Sequence, residues 1–285
     1  MRYSAAAALG AAFLSAALLG QHPAPAQVHA PAPAAAAPAY ASPALSDSEI
    51  EQFLLRAKVI KTRSAKKGIT GSLQATLSDG TLTHDAQIQS VDVRSQQFAG
   101  SRGVEFNFRD SWTFNIAGYQ IDRLIGMNMV PPSVERRWQS KEAAFTWWLD
   151  DVMMDEQERL KRKVHPPSVE LWNQQMQMVR MFDQLIANVD RNLGNLMITR
   201  DWRLWPIDHT RAFRVNRDLK TPANVTRADR SVLERMKALN RETLHGATGK
   251  YLTTAEIDTV LTRRDAIVAR LSSLGESALF DRASR

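Results

Sequence analysis

One short segment near the middle of the chain constrains its fold most: Asp190-Arg191-Asn192-Leu193-Gly194-Asn195, a few apolar residues, then Ile207-Asp208-His209. Upstream, Pro166-Pro167-Ser168 opens a long helix with Trp172, Met176, Val179, Phe182 and Ile186 along its buried face. That helix delivers Asp190 to a loop that Gly194 can bend. Leu196-Met197-Ile198 then reads as a strand, Arg200-Asp201 as a turn, and Trp202 to Ile207 as the returning strand. In a hairpin the start of one strand faces the end of the other, so Asn195 and Asp208 meet at one end, within reach of one cation. Magnesium asks for a few hard oxygen ligands at about 2.0–2.1 Å and keeps several waters, so an amide oxygen, a carboxylate and phosphate oxygens suffice. Asp190, one turn of loop away, is placed to accept or orient the proton of an attacking hydroxyl. Taken singly, each residue has an ordinary reading: Asp190 pairs with Arg191, Asn195 is a turn residue, and Asp208 caps a following helix. Together, at this spacing around a hairpin, they define a phosphate and metal site.

The 285 residues allow one large domain or two small ones. Arg2 and the apolar run from Ala5 to Leu19, followed by Ala24-Pro25-Ala26, have the layout of a secretory leader cleaved before Gln27. The run is short for a bilayer, which needs about 20 residues; an uncleaved anchor or an Ala-rich leader is the alternative. Residues 27–44 are low-complexity Ala/Pro and read as an extended tether, so folded material is expected from Leu45. No later run is long enough to span a membrane. The expected location is therefore outside the cytoplasm, periplasmic or secreted. Without cysteine there is no disulfide framework, thiolate nucleophile or Cys-zinc site. A net charge of +7, one less without Arg2, suits anionic ligands, while no nucleic-acid module is present.

Along the chain, Ser46-Asp47-Ser48-Glu49 is a capping box, predicting a helix from about 47 to 60 with Ile50, Phe53, Leu54 and Ala57 on its buried face. Short alternating runs with turn signals follow: Leu73 to Leu77, Ser78-Asp79-Gly80, Asp85 to Val93, and Val104 to Phe108. From Trp112 a helical stripe (Ile116, Tyr119, Leu124, Ile125) stops at Gly126, and an extended link enters a short strand by Arg136. Glu142 to Arg162, with Trp147-Trp148 and Asp150-Asp151, is expected to be helical, as are Val232 to Leu239 and Thr254 to Leu271. The fold class is α+β, a small β-rich part (about 45–130) followed by a mostly helical part (about 131–285).

The residues Phe182-Asp183-x-Leu185-Ile186-x-Asn188-x-Asp190-Arg191-Asn192-x-Gly194-Asn195 and Trp205-Pro206-Ile207-Asp208-His209-x-x-Ala212-Phe213 resemble the catalytic segment of atypical kinases. The relatives are the phosphatidylinositol 3-/4-kinase-like group, the HipA-type kinases and the secretory-pathway kinases. The likeness is specific over 180–214 and looser over 112–136. It implies a bilobal protein-kinase-like fold in which Asp190 is the catalytic aspartate, Asn195 and Asp208 hold the metal, and Arg191 and Asn192 shape the loop. It also implies ATP and magnesium as cofactors and a hydroxyl on a protein, lipid or small molecule as acceptor. The small lobe departs from the pattern. Kinases place a strand lysine on the phosphates, paired with a helix glutamate; here those positions read as Gln89 and Asn115, and Lys66, Lys67, Arg94 or Arg109 would have to supply the charge. The turn Gly68-Ile69-Thr70-Gly71-Ser72 would cover the phosphates, with Gly71 and Ser72 against the nucleotide.

The expected activity is an exported ATP- and magnesium-dependent phosphotransferase. The alternatives are a pseudokinase that binds or scaffolds, favoured by Gln89, Asn115 and the scarcity of ATP outside a bacterial cytoplasm, and nucleotidyl transfer on the same fold. The remaining features are bland. The six histidines lack metal-ligand spacing. Trp147-Trp148 with Met153-Met154 reads as packing, and His209 as structural. Asp150, Asp151, Asp155 and Glu156 form either a second acidic cluster or a solvated helix face, and Arg211 contacts either a phosphate or a surface carboxylate.

Overall fold

The computed structural model describes residues 45–64, 72–100, 103–188 and 191–282. The expected leader (1–26), the tether (27–44), the turn through Gly71 and Asp190 itself lie outside the described residues. Leu45–Arg285 form one compact unit.

The chain enters at α1 (Asp47–Arg56), where Ser46 Oγ accepts from the Glu49 amide and Glu49 Oε2 accepts from the Ser46 amide at 2.7 Å. α1 ends before residue 60, because Ala57 is already extended and Val59 and Ile60 are β-branched residues in a strand. Arg136 replaces the missing helical donors, giving its guanidinium to the Leu54 and Ala57 carbonyls at 2.9 and 2.8 Å. The strands that follow are β1 (Lys58–Ser64), β2 (Leu73–Ser78), β3 (Thr83–Gln89), and the paired β4 (Asp92–Gly100) and β5 (Gly103–Ser111). The expected run from Asp85 to Val93 is thus divided between β3 and β4. Helix α2 (Thr113–Leu124) stops at Gly126, whose φ of 67° suits a residue without a Cβ.

Residues 142–162 are helical only at their end. They form β7 (Lys141–Trp147), β8 (Val152–Asp155) and the short α3 (Glu156–Lys161), preceded by β6 (Ser133–Trp138). Asp151 turns the chain between β7 and β8 with a φ of 54°. One five-stranded antiparallel sheet, in the order β1-β2-β3-β7-β6, includes β6 and β7. The small part therefore extends to Trp147, past the boundary near 130 expected from the sequence pattern. Its core is Phe53 and Leu54 of α1 against Leu77, Ile88 and Phe145 of the sheet.

The larger part is helical: α4 (Val169–Leu185, capped by Ser168), α5 (Arg230–Ala238), α6 (Arg241–Thr248) and α7 (Thr254–Leu274). Met181, Phe182, Leu185, Phe213, Val260 and Ile267 fill its core together with Phe114 and Ile121 of α2. A small sheet, β8-β9-β10, adds β9 (Leu196–Thr199) and β10 (Leu204–Pro206). The α+β, two-part architecture expected from the sequence is the one observed.

Arg263 of α7 ties the floor of the larger part together. Fully buried, it donates to the carbonyls of Leu185, Arg214 and Asn216 at 2.8, 2.9 and 2.5 Å. Arg263→Met roughly keeps the volume but strands the two buried acceptors, the Leu185 and Arg214 carbonyls, at about 1–3 kcal/mol each before relaxation, and frees the Asn216 carbonyl, which lies on an exposed residue. Denaturant unfolding of the variant is expected to show a stability loss of about 2 kcal/mol or more; an unchanged midpoint would contradict this role.

Candidate functional site

The end of α4, the β9–β10 hairpin and the cleft-facing edge of β3 converge on a cleft of about 1520 Å³. After Ile186 the chain bends through Ala187, at a φ of 48°, into the loop that carries Arg191 and Asn192. A single 3-10 turn, Leu193–Asn195, leads into β9. The hairpin register sets Leu196 opposite Pro206, and the Ile207 amide donates to the Asn195 carbonyl at 3.0 Å. This brings the Asn195 Nδ2 to 3.5 Å from Asp208 Oδ2. The convergence expected from the sequence is present. Turning the carboxamide over sets Oδ1 in the place of Nδ2 and faces two oxygens toward one point. Among the described residues no three His, Cys, Asp or Glu side chains gather around a common point, so the donor set is carboxylate plus amide. Such a set fits magnesium or manganese, which complete their shells with water and phosphate.

Arg191 holds this geometry. Its Nε and Nη2 clasp Asp183 of α4 at 3.0–3.3 Å, while Nη1 donates to the Ile207 carbonyl at 2.5 Å and the Asn195 carbonyl at 3.4 Å. One guanidinium thus fastens the helix to both flanks of the hairpin. Asn192, exposed on the cleft side, accepts the Asn195 amide at 3.1 Å through its carbonyl.

Asp208 adopts a left-handed backbone, φ 56°, a strained conformation that aspartate tolerates better than most residues. The next residue turns inward. The His209 amide donates to Asn115 Oδ1 of α2 at 2.8 Å, and its ring sits edge-on to Phe182. Gly118 makes room for it, since a Cβ there would lie 3.3 Å from His209 Cγ. Burial, with the Arg191 charge, depresses this imidazole well below its usual value, and Nε2 has no hydrogen-bond partner among the described residues. His209 is a neutral packing group, as read from the sequence.

The cleft also places the small-lobe residues. Ser72 and Gln89 line it and are buried, and Gln89 Oε1 accepts the Val91 amide at 3.3 Å. Asn115, the other half of the expected pair, joins His209. Of the basic residues considered for the phosphates, Lys66 and Lys67 lie outside the described residues. Arg109 is committed to Glu256 at 2.7 Å, and Arg94 stands by Asp92 on the surface. The cations that line the cleft are Arg211, Arg214, Lys220 and Arg263. Arg211 is half-buried, with its guanidinium 4.9 Å from the Phe108 ring centre. The second acidic cluster does not form: Asp155 caps α3, Glu156 pairs with Arg159, Asp150 bonds His84 and Asp151 faces Arg200. Trp147 packs as expected, stacked on His84 at 3.4 Å.

Asp110 of β5 is the cleft residue that sequence reasoning missed. It is buried, and burial together with the Asp208 charge raises its carboxyl, against the Thr210 hydrogen bond and the charges of Arg211 and Arg214. The sequence signal was slight, an aspartate just ahead of a helix start, which reads as a cap.

No family model and no curated protein matches the chain. Solved structures do. The structure of hydra Fam20 with sugar is 15% identical, covers 82% of this chain and 92% of that one, and has a TM-score of 0.62. The Golgi casein kinase with Mn/ADP bound is 13% identical, over 81% of this chain and 76% of that one, at 0.59. A second Golgi casein kinase structure gives 14%, 81%, 75% and 0.58. The fold is thus the bilobal kinase-like one, and the resemblance to atypical kinases holds at that level.

Because His209 is held neutral, only the unfolded chain takes up its proton as the pH falls below about 6.5. Its contribution is complete above that pH and declines below it, by up to about 1.4 kcal/mol per pH unit. His209→Gln removes this slope. The stability gap between wild type and variant, measured by denaturant unfolding, is expected to narrow from pH 6.5 to 5; parallel curves would contradict a buried neutral imidazole.

Proposed function

We propose that this protein transfers a phosphoryl group from ATP, held with a divalent cation, to a hydroxyl-bearing acceptor. The observation that carries the reading is the meeting of Asn195 and Asp208 at 3.5 Å, in a cleft between a β-rich and a helical part. A structure of the same fold holds manganese and ADP, which supports a nucleotide and a divalent metal here; magnesium is the proposed physiological ion. Asn195 and Asp208 would hold it, and when bound it would neutralise charge on the transferring phosphoryl group.

The chain's own residues do the rest. Asp190 orients the acceptor hydroxyl and takes its proton. Arg191 fixes the spacing of the loop against the hairpin, helped by Asn192. Gln89, Gly71 and Ser72 border the nucleotide, and Arg211 adds positive charge on the acceptor side. Since Gln89 brings no charge to the phosphates, a nucleotide-binding module without transfer is the second reading. Nucleotidyl transfer is distinguished from both by the mass of the product.

The test is labelled-phosphate transfer from ATP by the full-length chain, with magnesium or manganese, beside thermal melting with ADP. Asp190→Ala is expected to lose about 10²–10⁴ in rate while keeping the cation-dependent rise in melting temperature, and Asp208→Asn to lose both. Binding without turnover in the wild type favours the module; equal turnover in Asp190→Ala overturns the assignment.

Export is proposed on the leader pattern alone. N-terminal sequencing of the protein from fractionated cells is expected to begin at Gln27 in the exported fraction, and a retained Met1 in the cytoplasm would refute it.

A further inference from the structure

The β4–β5 ribbon is anchored where it meets α2. The Ser111 amide donates to the Thr210 carbonyl at 2.8 Å, and Arg214 Nη1 donates to the Arg109 carbonyl at 3.1 Å. Phe98 stacks on Phe108 at 4.0 Å, and the guanidiniums of Arg211 and Arg214 lie 4.9 and 5.2 Å from the Phe108 ring centre. Nearer the tip, Val104 and Phe106 stand 60% and 66% exposed, and Val93 on β4 and Val215 along the same cleft are exposed as well. Single exposed apolar side chains are ordinary, but a series of them on one ribbon marks a docking surface.

The segment packed against the ribbon is basic. Arg211, Arg214, Arg217 and Lys220 recur at every third position against one acid, Asp218, with Val215 and Leu219 between them. On the ribbon itself, Asp92 and Glu105 are matched by Arg94 and Arg102. An apolar projection beside an excess of cations fits a partner that is apolar within and anionic at its surface. An extended peptide would pair with the outer edge of β5, since β4 and β5 form a two-stranded sheet. Asn107 interrupts that edge. Its φ is 51°, and the register of the ribbon skips it, so an added strand could not keep its ladder. Acyl chains need no ladder and accept apolar side chains in any register.

We infer that the β4–β5 ribbon and the basic segment behind it dock on an anionic phospholipid surface. Val104 and Phe106 enter among the acyl chains, and Arg217 and Lys220 meet the headgroups. The acceptor hydroxyl that reaches the cleft is then membrane-borne. That half rests on the phosphotransferase reading, and the docking surface stands without it.

Co-sedimentation of the compact unit Leu45–Arg285 with sucrose-loaded vesicles tests this; the apolar run from Ala5 to Leu19 would bind lipid by itself. Vesicles of equal parts phosphatidylcholine and phosphatidylglycerol are expected to take up the wild type, and pure phosphatidylcholine far less. Val104→Ser with Phe106→Ser is expected to lower the partition coefficient about tenfold or more without lowering the melting temperature, because both side chains are exposed. Arg217→Glu with Lys220→Glu is expected to lower binding to the anionic vesicles only. No uptake of the wild type, unchanged partition of either double variant, or a serine variant that melts well below wild type would overturn the inference. So would transfer of phosphate from ATP to a water-soluble peptide by a protein that ignores vesicles, and the phosphotransferase reading would then survive. Vesicle binding that meets these expectations, in a protein that transfers no phosphate, would uphold the docking surface and remove the phosphotransferase reading instead.

Discussion

The clasp of Arg191 on Asp183 is the interaction on which the rest of the site depends. Both side chains are largely withdrawn from water, at 10% and 11% exposure, so their mutual attraction is little screened. The remaining donor of the guanidinium reaches past the ion pair to carbonyls on both strands' flanks at the open end of the hairpin. The spacing between Asn195 and Asp208 is therefore set by a planar, five-donor group, not by the hairpin alone, whose strands are only a few residues long. A lysine there would keep the charge and lose the fork.

Above this clasp, α2 connects the two parts of the molecule. It packs against the sheet on one side and against the helical core on the other, which is why residues from Phe114 to Tyr119 are buried without a break. Asn115 takes the His209 amide, and the strand leading into α2 is fastened to Thr210 and Arg214. In kinases the corresponding helix contributes a glutamate to a strand lysine. Here its polar side chain is directed instead at the backbone after Asp208. The helix positions the segment after Asp208 mechanically.

How much of this was legible in the chain depends on how local the signal was. α1 and α4 announce themselves through Ser46-x-x-Glu49 and Pro-Pro-Ser168, and the hairpin through its turn. The meeting of Asn195 and Asp208 followed, because the two are joined by a short register. β7 was misread as helix because both of its faces are covered, by α1 and by α2. Ala143-Ala144-Phe145 is then uniformly buried and carries no alternation of period two. Asp110 was invisible for a different reason. The β4–β5 ribbon brings it to Asp208 from far along the chain, and no spacing rule spans such a distance.

The left-handed backbone at Asp208 has a consequence for laboratory evolution. Glycine would relax that conformation, and asparagine would hold it without burying charge near Asp110. Libraries selected only for thermal robustness should therefore drift away from aspartate at this position. Recovering hardier versions that keep the Asp208 carboxylate would require leaving codon 208 untouched.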